Sequence, residues 1–367
     1  MKKVISLILA FSMMMVPTAC SGGGSGGEDG TYQIALVTDT GNIDDKSFNE
    51  GSWNGTKEFA EEHHITYAYY RPTEDANEAR LKAIDSAVTK GAKVIVCPGH
   101  LFEDVVYEAQ KTYPEVMFLL LDGEPHDADY VYESTPNTHC ILFQEEQAGY
   151  LAGYAAVKDG YTKLGFCGGM AVPAVIRYGY GFIQGAEAAG AEMGKAAGDI
   201  QIKYWYSNSF LASDDARNKM DGWYTGGTQV VFACGGRVYQ SVLAAAESAG
   251  GKMIGVDVDQ SSASDAIITS AMKELSRSVK MSLTSLYENG GTWGEDQAGK
   301  TLLLGAGDMC VGLPTAEGSW RLETFTVAEY EDLFARLAAG EIKVDNSSNK
   351  DIMPATTICM VENQGEG

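Results

Sequence analysis

Positive charge is scarce in this chain of 367 residues: 27 lysines and arginines stand against 50 aspartates and glutamates, a net charge of −23. The basic residues are scattered without a run, so the surrounding field repels polyanions, and nucleic acid is excluded as a partner. Histidine is sparse too, at five residues, and none falls in an HExxH helix or a recognisable catalytic relay. His63 and His64 are adjacent, which on a helix points them about 100° apart, so they read as a solvated helix end rather than a metal pair. With no nucleophile elbow and no GxGxxG turn after a strand, hydrolase and dehydrogenase chemistry lack their parts. The expectation is a protein that is not an enzyme and carries neither cofactor nor metal.

The seven cysteines show no CxxC or other metal spacing. Cys97, Cys167 and Cys234 each close an apolar run (VIVC, LGFC, VVFAC), the setting of a small buried hydrophobe, and no essential disulfide is expected. Proline is rare and glycine abundant, 9 against 43, which favours many tight strand-to-helix turns. One G-x(4)-GK[ST] match runs from Gly294 to Thr301, but ENGGTW precedes it and the strand-like TLLLG follows. A phosphate loop needs a buried strand before it and a helix after it, so the match is rejected.

What is present begins with a targeting segment. Met1-Lys2-Lys3 precedes an apolar stretch, Val4 to Val16, that falls short of the roughly 20 residues needed to span a bilayer. Residues 1–19 therefore read as a signal peptide. Thr18-Ala19-Cys20 resembles a bacterial lipobox, with Pro17 where a leucine is usual, and implies a lipidated Cys20. Residues 20–30 then form a Gly/Ser-rich tether, and a diacyl or triacyl group would hold the protein on the extracytoplasmic face of the cell membrane.

At 367 residues the chain exceeds what one hydrophobic core usually supports, so two domains are expected. Short apolar runs alternate with amphipathic segments. YQIALVT, ITYAYY, KVIVC and VMFLLLD read as strands, with helices at 47–62, 76–89 and 102–113. KLGFCGG, QIKYWY, QVVFACGG and KMIGVDVD form a second series, with helices at 175–193, 214–224 and 238–249. Apolar runs without polar alternation predict parallel sheets covered on both faces. Each series has a strand ending in glycine followed directly by a helix, VIVCPGHLFEDVV and VVFACGGRVYQSVL, so the α/β unit is duplicated. After Asp259, AIITSAM, a helix at 275–288, TLLLG, MCVGL and a helix at 327–339 suit strands crossing between two lobes, the architecture of type I periplasmic-binding proteins. The expected N-terminal lobe is 31–140 plus 261–308, and the C-terminal lobe 141–260 plus 309–367.

The segment IALVTDTGNIDDKSFNEGSWNG resembles the start of the basic membrane protein (BMP) family of ABC-transporter receptors. GGMAVPAVIRYGYGFIQGAEAA, WYSNSFLASDDARNKMDGWYTGGTQVVFACGG, GVDVDQSSAS and ITSAMK extend the resemblance from about Tyr32 to Leu313. It implies a receptor for purine nucleosides, a monomer working with a membrane permease and its ATPase. Phe48 in DKSFN and Phe210 in SNSF match the rings that sandwich the base, while Asp257 and Lys273 match ribose-binding positions. Asp122 ends the VMFLLLD strand where a carboxylate can accept from base N–H groups. Asp39 and Asn49 flank the first strand's exit and could hold the base or order Asp122, and Gly235-Gly236 let backbone approach the ligand. A sugar or autoinducer receptor of the same fold is the nearest alternative. A transcriptional regulator would need a DNA-binding helix pair before residue 30, where Gly and Ser stand instead.

Overall fold

The computed structural model describes residues 33–367; the segments expected to be signal peptide and tether, and Cys20, lie outside the described residues. The first lobe opens with β1 (Ile34–Val37), α1 (Phe48–Glu62), β2 (Tyr67–Tyr70), α2 (Asn77–Thr89), β3 (Val94–Pro98), α3 (Glu103–Thr112), β4 (Met117–Leu121) and β5 (Thr138–Phe143). The second carries α4 (Glu145–Lys158), β6 (Lys163–Gly168), α5 (Pro173–Glu192), β7 (Ile200–Tyr206), α6 (Asp214–Thr225), β8 (Val230–Cys234), α7 (Val238–Ala249), β9 (Lys252–Asp257) and β10 (Ile267–Lys273). The chain ends with α8 (Leu275–Glu288), β11 (Lys300–Leu304), β12 (Val311–Gly312), α9 (Val327–Ala338) and β13 (Cys359–Glu366).

The first sheet has the order β11-β5-β4-β3-β1-β2 and the second β12-β10-β9-β8-β6-β7-β13. Every pairing is parallel except β12 against β10. Without β11, β12 and β13 the two orders are the same, each strand of the second sheet standing five places after its counterpart. The duplicated α/β unit read from the sequence is therefore a duplicated sheet. Central strands such as β1 and β4 are buried along their whole length, as expected of parallel sheets with helices on both faces.

Three crossings join the lobes. Gln144 leads from β5 into α4, Glu274 from β10 into α8, and residues 305–310 from β11 to β12. They are laced together: Gln144 N–H donates to the Leu304 carbonyl at 2.8 Å, Glu274 N–H to Cys310 at 2.9 Å, and Ala306 N–H to Gln147 Oε1 at 2.7 Å. The second crossing differs from the expected boundary at 261. β10 pairs in parallel with β9 and belongs to the second sheet, so the chain changes lobe at Glu274. No compositional break marks such a crossing, because β10 and α8 are both ordinary core elements. MCVGL contributes only a two-residue strand. Lys300, the lysine of the rejected phosphate-loop match, opens β11 rather than a helix.

Helices α4 and α5 pack backbone to backbone. A methyl on Gly149, Gly153, Gly181 or Gly185 would meet the carbonyl oxygen of Tyr178, Phe182, Glu146 or Tyr150 at 2.0–2.1 Å, so glycine is the one residue that permits this approach. All six described cysteines are free and buried. Gly185→Ala is expected to lower unfolding stability by about 1–3 kcal/mol through overpacking. Gly222→Ala, at an exposed position of α6 with nothing within 4 Å of the added methyl, is expected to raise it by about 0.4–1 kcal/mol. Urea midpoints at unchanged slope measure both.

Candidate functional site

In an open α/β sheet, ligands gather at the carboxyl ends of the strands where the strand order reverses. Here the reversals lie between β1 and β3 in one lobe and between β6 and β8 in the other, and the two face each other. Between them is a cavity of about 680 Å³, counted with its opening to solvent. Asp39, Phe48, Asn49, Asp122, Phe210, Gly236, Asp257 and Lys273 all line it. The structure thus gathers every binding residue expected from the sequence, although several are held differently from the expectation.

The first reversal is built by the loop after β1. Asp39 Oδ1 accepts from Gly41 N–H and from Asn49 Nδ2, both at 2.7 Å, and Asn49 Oδ1 accepts from Asp39 N–H at 3.2 Å. Asn49 Nδ2 also donates to Asp45 Oδ2 at 2.8 Å. Its amide is thus spent on two carboxylates, and it orders Asp39 rather than Asp122. Asp45 Oδ1 accepts from the N–H groups of Ser47 and Glu50 at 2.9 and 3.1 Å, so Asp45 caps α1 in the absence of a side-chain bond from Ser47 and sets Phe48 at the helix start. Burial raises Asp39 and pushes Asp45 up to about 7, against the opposing pull of their hydrogen bonds.

Phe210 is placed by glycine. A methyl at Gly169 would lie 2.5 Å from its ring, and methyls at Gly235 or Gly236 would lie 3.0 Å from its side chain. Gly235 and Gly236 also have positive φ, 132° and 50°. They therefore seat Phe210 as well as lining the cavity. Phe48 comes from the first lobe and Phe210 from the second, so the cavity has an aromatic wall on each side.

Asp122 and Asp257 leave equivalent strands, β4 and β9, and both adopt left-handed backbone, φ 55° and 66°, an uncommon conformation that concentrates at functional sites. Lys273 ends β10 with its side chain 2% exposed and pairs with Asp122 and, at 3.1 Å, with Glu145. Its ammonium also lies 4.9 Å from the Phe48 ring centroid and 5.3 Å from those of Phe143 and Tyr178. Glu145 Oε2 accepts from Arg177 Nε at 2.6 Å. The direct partners of Lys273 are Asp122 and Glu145, whereas Asp257 Oδ2 accepts from Ser47 Oγ of the other lobe at 2.5 Å. Gln260 Nε2 donates to the Lys46 carbonyl at 2.7 Å, a second bond across the cleft.

Burial would strip Lys273 of its proton, but Asp122, Glu145 and Asp257 outweigh it and hold the ammonium well above the usual lysine range. Burial also lifts Glu145, yet Lys273 and Arg177 more than reverse this and keep it ionised. For Asp122 and Asp257, burial prevails over Lys273 and their affinity for protons rises. Asp122 Oδ1 is buried with no protein hydrogen-bond partner, an acceptor left for a solute's N–H or O–H. Two aromatic walls and an excess of carboxylate acceptors suit an uncharged, flat solute rich in hydrogen-bond donors.

Sequence reasoning did not find Asp45, Glu145, His100, Tyr178 or Arg237. Asp45 had a signal in its place ahead of a helix start; Glu145 had none, because its helix lacks a polar face.

Lys273→Met leaves three buried carboxylates without their ammonium, a change expected to cost about 3–5 kcal/mol at pH 7. In the variant those carboxylates take up protons in the folded state that they release on unfolding, so stability recovers as pH falls. Thermal unfolding at pH 7.5 and pH 5, near the two sides of this window, measures a deficit that shrinks toward the acid side.

Residues 32–346 match the family described as ABC transporter substrate-binding protein PnrA-like, or Bmp. Basic membrane protein A1 of Borrelia garinii subsp. bavariensis is 30% identical over 319 residues, covering 85% of this chain and 87% of that protein. The ABC transporter nucleoside-binding protein BmpA of Lactococcus lactis subsp. cremoris is 27% identical over 277 residues, 71% of this chain and 74% of its own. A solved ABC transporter solute-binding protein from Aeropyrum pernix K1 superposes with a TM-score of 0.74 at 20% identity, covering 87% of this chain and 95% of that one. The two-lobed α/β architecture is thus the type I periplasmic-binding fold, and the chain belongs to the Bmp family of PnrA-like ABC transporter substrate-binding proteins.

Proposed function

We propose that this protein binds purine nucleosides between its lobes and delivers them to a membrane permease driven by an ATPase, acting as a monomer held outside the cytoplasm by a lipid on Cys20. The observation that carries the reading is the unpartnered Asp122 Oδ1, a buried acceptor in a cavity walled by Phe48 and Phe210. A purine offers two stackable faces and an edge with N–H donors, and stacking on an aromatic ring contributes about 1–3 kcal/mol. Ribose hydroxyls are donors suited to Asp257, with charge-assisted bonds stronger than neutral ones. The name of the Lactococcus relative, a nucleoside-binding protein, favours the same solute. Four carboxylates in the lining, Asp39, Asp45, Asp122 and Asp257, oppose a phosphate, so the reading is nucleoside and not nucleotide.

Calorimetric titration with inosine, guanosine and adenosine is expected to show saturable binding. Phe48→Ala and Asp257→Ala are each expected to weaken it at least roughly tenfold, about 1.4 kcal/mol, with circular dichroism unchanged. The corresponding 5′-monophosphates are expected to bind more weakly still. Binding of galactose with no response to nucleosides, or unchanged affinity in both variants, overturns the reading. For the anchor, Cys20→Ser is expected to move the protein from the membrane fraction to the soluble one, and retention in the membrane would refute lipidation.

A further inference from the structure

The cavity is rich in acceptors and short of donors. Asn49 spends its amide on Asp39 and Asp45, Lys273 is committed to Asp122 and Glu145, and the Tyr178 hydroxyl donates to the Ala271 carbonyl at 3.3 Å. A purine nucleoside also carries acceptors, the unprotonated ring nitrogens and any carbonyl oxygen. Thr40, Arg237 and His100 are the lining side chains left to meet them.

His100 is the one of the three held in place. It follows Gly99, whose φ of 108° turns the chain at the exit of β3, and a methyl on Gly99 would lie 3.8 Å from the Phe48 ring and 3.9 Å from Asp39 Oδ2. His100 therefore follows directly on the residue beside the Phe48 platform. His100 Nδ1 is 2.5 Å from Glu103 Oε2. Glu103 is itself fixed: Oε1 accepts from Glu124 N–H at 2.9 Å, and Oε2 lies 3.4 Å from His126 Nε2. His126 Nδ1 in turn is 3.2 Å from Asp104 Oδ1. This arrangement commits Nδ1–H to Glu103 and leaves Nε2, on a residue that lines the cavity with its side chain 34% exposed, without a protein partner among the described residues.

We propose that His100 is a further ligand-contacting residue, positioned by Glu103, whose Nε2–H donates to a hydrogen-bond acceptor of the bound base. The inference rests on the nucleoside reading and extends it to the donor side of the pocket. Burial pulls the imidazole toward its neutral form, but Glu103, with Asp104 and Asp122 beyond it, outweighs burial and raises its affinity for the proton. With Nδ1–H turned to Glu103, the protonated ring presents a donor at Nε2, whereas the neutral ring presents an acceptor. Binding is thus favoured below the raised histidine transition and weakens as pH climbs through it. This is opposite in direction to the loss expected at acid pH when the pocket carboxylates are protonated.

The test titrates inosine and adenosine into the full protein across roughly pH 5.5 to 8.5, the range in which histidine changes charge; the adenine base has no ring proton to lose there. The unchanged protein is expected to lose affinity on the alkaline side. His100→Phe, which keeps the ring area and removes the donor, is expected to bind at least roughly tenfold more weakly near pH 6, about 1.4 kcal/mol. His100→Gln, which keeps an N–H donor without charge, is expected to bind better than His100→Phe and to lack the alkaline fall. Glu103→Gln is expected to move that fall to lower pH, an effect that a purely structural role would not produce. Wild-type affinity in His100→Phe, or an alkaline fall that persists in His100→Gln, overturns the inference while leaving the nucleoside reading standing. Failure of the unchanged protein to bind either nucleoside overturns both. If His100→Phe does not fold by circular dichroism, the pH profiles of His100→Gln and Glu103→Gln decide.

Discussion

The buried ammonium of Lys273 is the interaction on which the rest of the site depends. It stands at the end of β10, one residue before the chain crosses to the other lobe. There it joins Asp122 of the first lobe to Glu145 beside the first crossing, and Glu145 passes the linkage to Arg177 on α5. A charge so fully withdrawn from water is tolerated only when paired and hydrogen-bonded. The three carboxylates around it meet that condition with an excess of negative charge. That excess leaves acceptor capacity facing the cavity, so the network that joins the lobes is the same one that prepares the pocket for donors.

The duplicated sheets explain why such a network forms here. Equivalent strands deliver equivalent ends to the cleft: β4 and β9 bring Asp122 and Asp257, both in left-handed backbone, while β1 with β3 and β6 with β8 supply the two reversal points. The lobes are not equivalent in chemistry, however. The first contributes a hydrogen-bonded loop that locks Asp39 and Asp45, and the second contributes glycines that clear room for Phe210. The bonds from Ser47 Oγ to Asp257 and from Gln260 Nε2 to the Lys46 carbonyl close one lobe on the other, so Asp257 is reached both by the opposing lobe and by the cavity.

Much of this was legible in the residues. Unbroken apolar runs identified nearly all the parallel strands, and helix boundaries fell within a few residues of those observed. What escaped had physical reasons. Helix α4 is buried on almost every side, so it carries no amphipathic period, and without it neither β5 nor Glu145 was visible. Strand β13 is an exposed, polar edge strand, whose composition reads as loop until β7 is there to pair with it. The crossing at Glu274 leaves no compositional trace, since hydrogen bonding to β9 alone assigns β10 to the second sheet.

By itself, the sequence determined that the fold would be a duplicated α/β arrangement, because apolar periodicity and glycine-ended strands are local properties. It also pointed to eight pocket residues, four of them, Phe48, Phe210, Asp257 and Lys273, through the family's motifs, and the structure brings all eight to one cavity. Which side chain holds which was decided only in three dimensions. Asn49 serves Asp39, Lys273 serves Asp122 and Glu145, and the glycines serve Phe210, because each pairing joins groups that are distant in the chain or competing for one partner. Burial and the charges packed around each group then set its affinity for protons, since both depend on what surrounds a group and not on its neighbours in sequence.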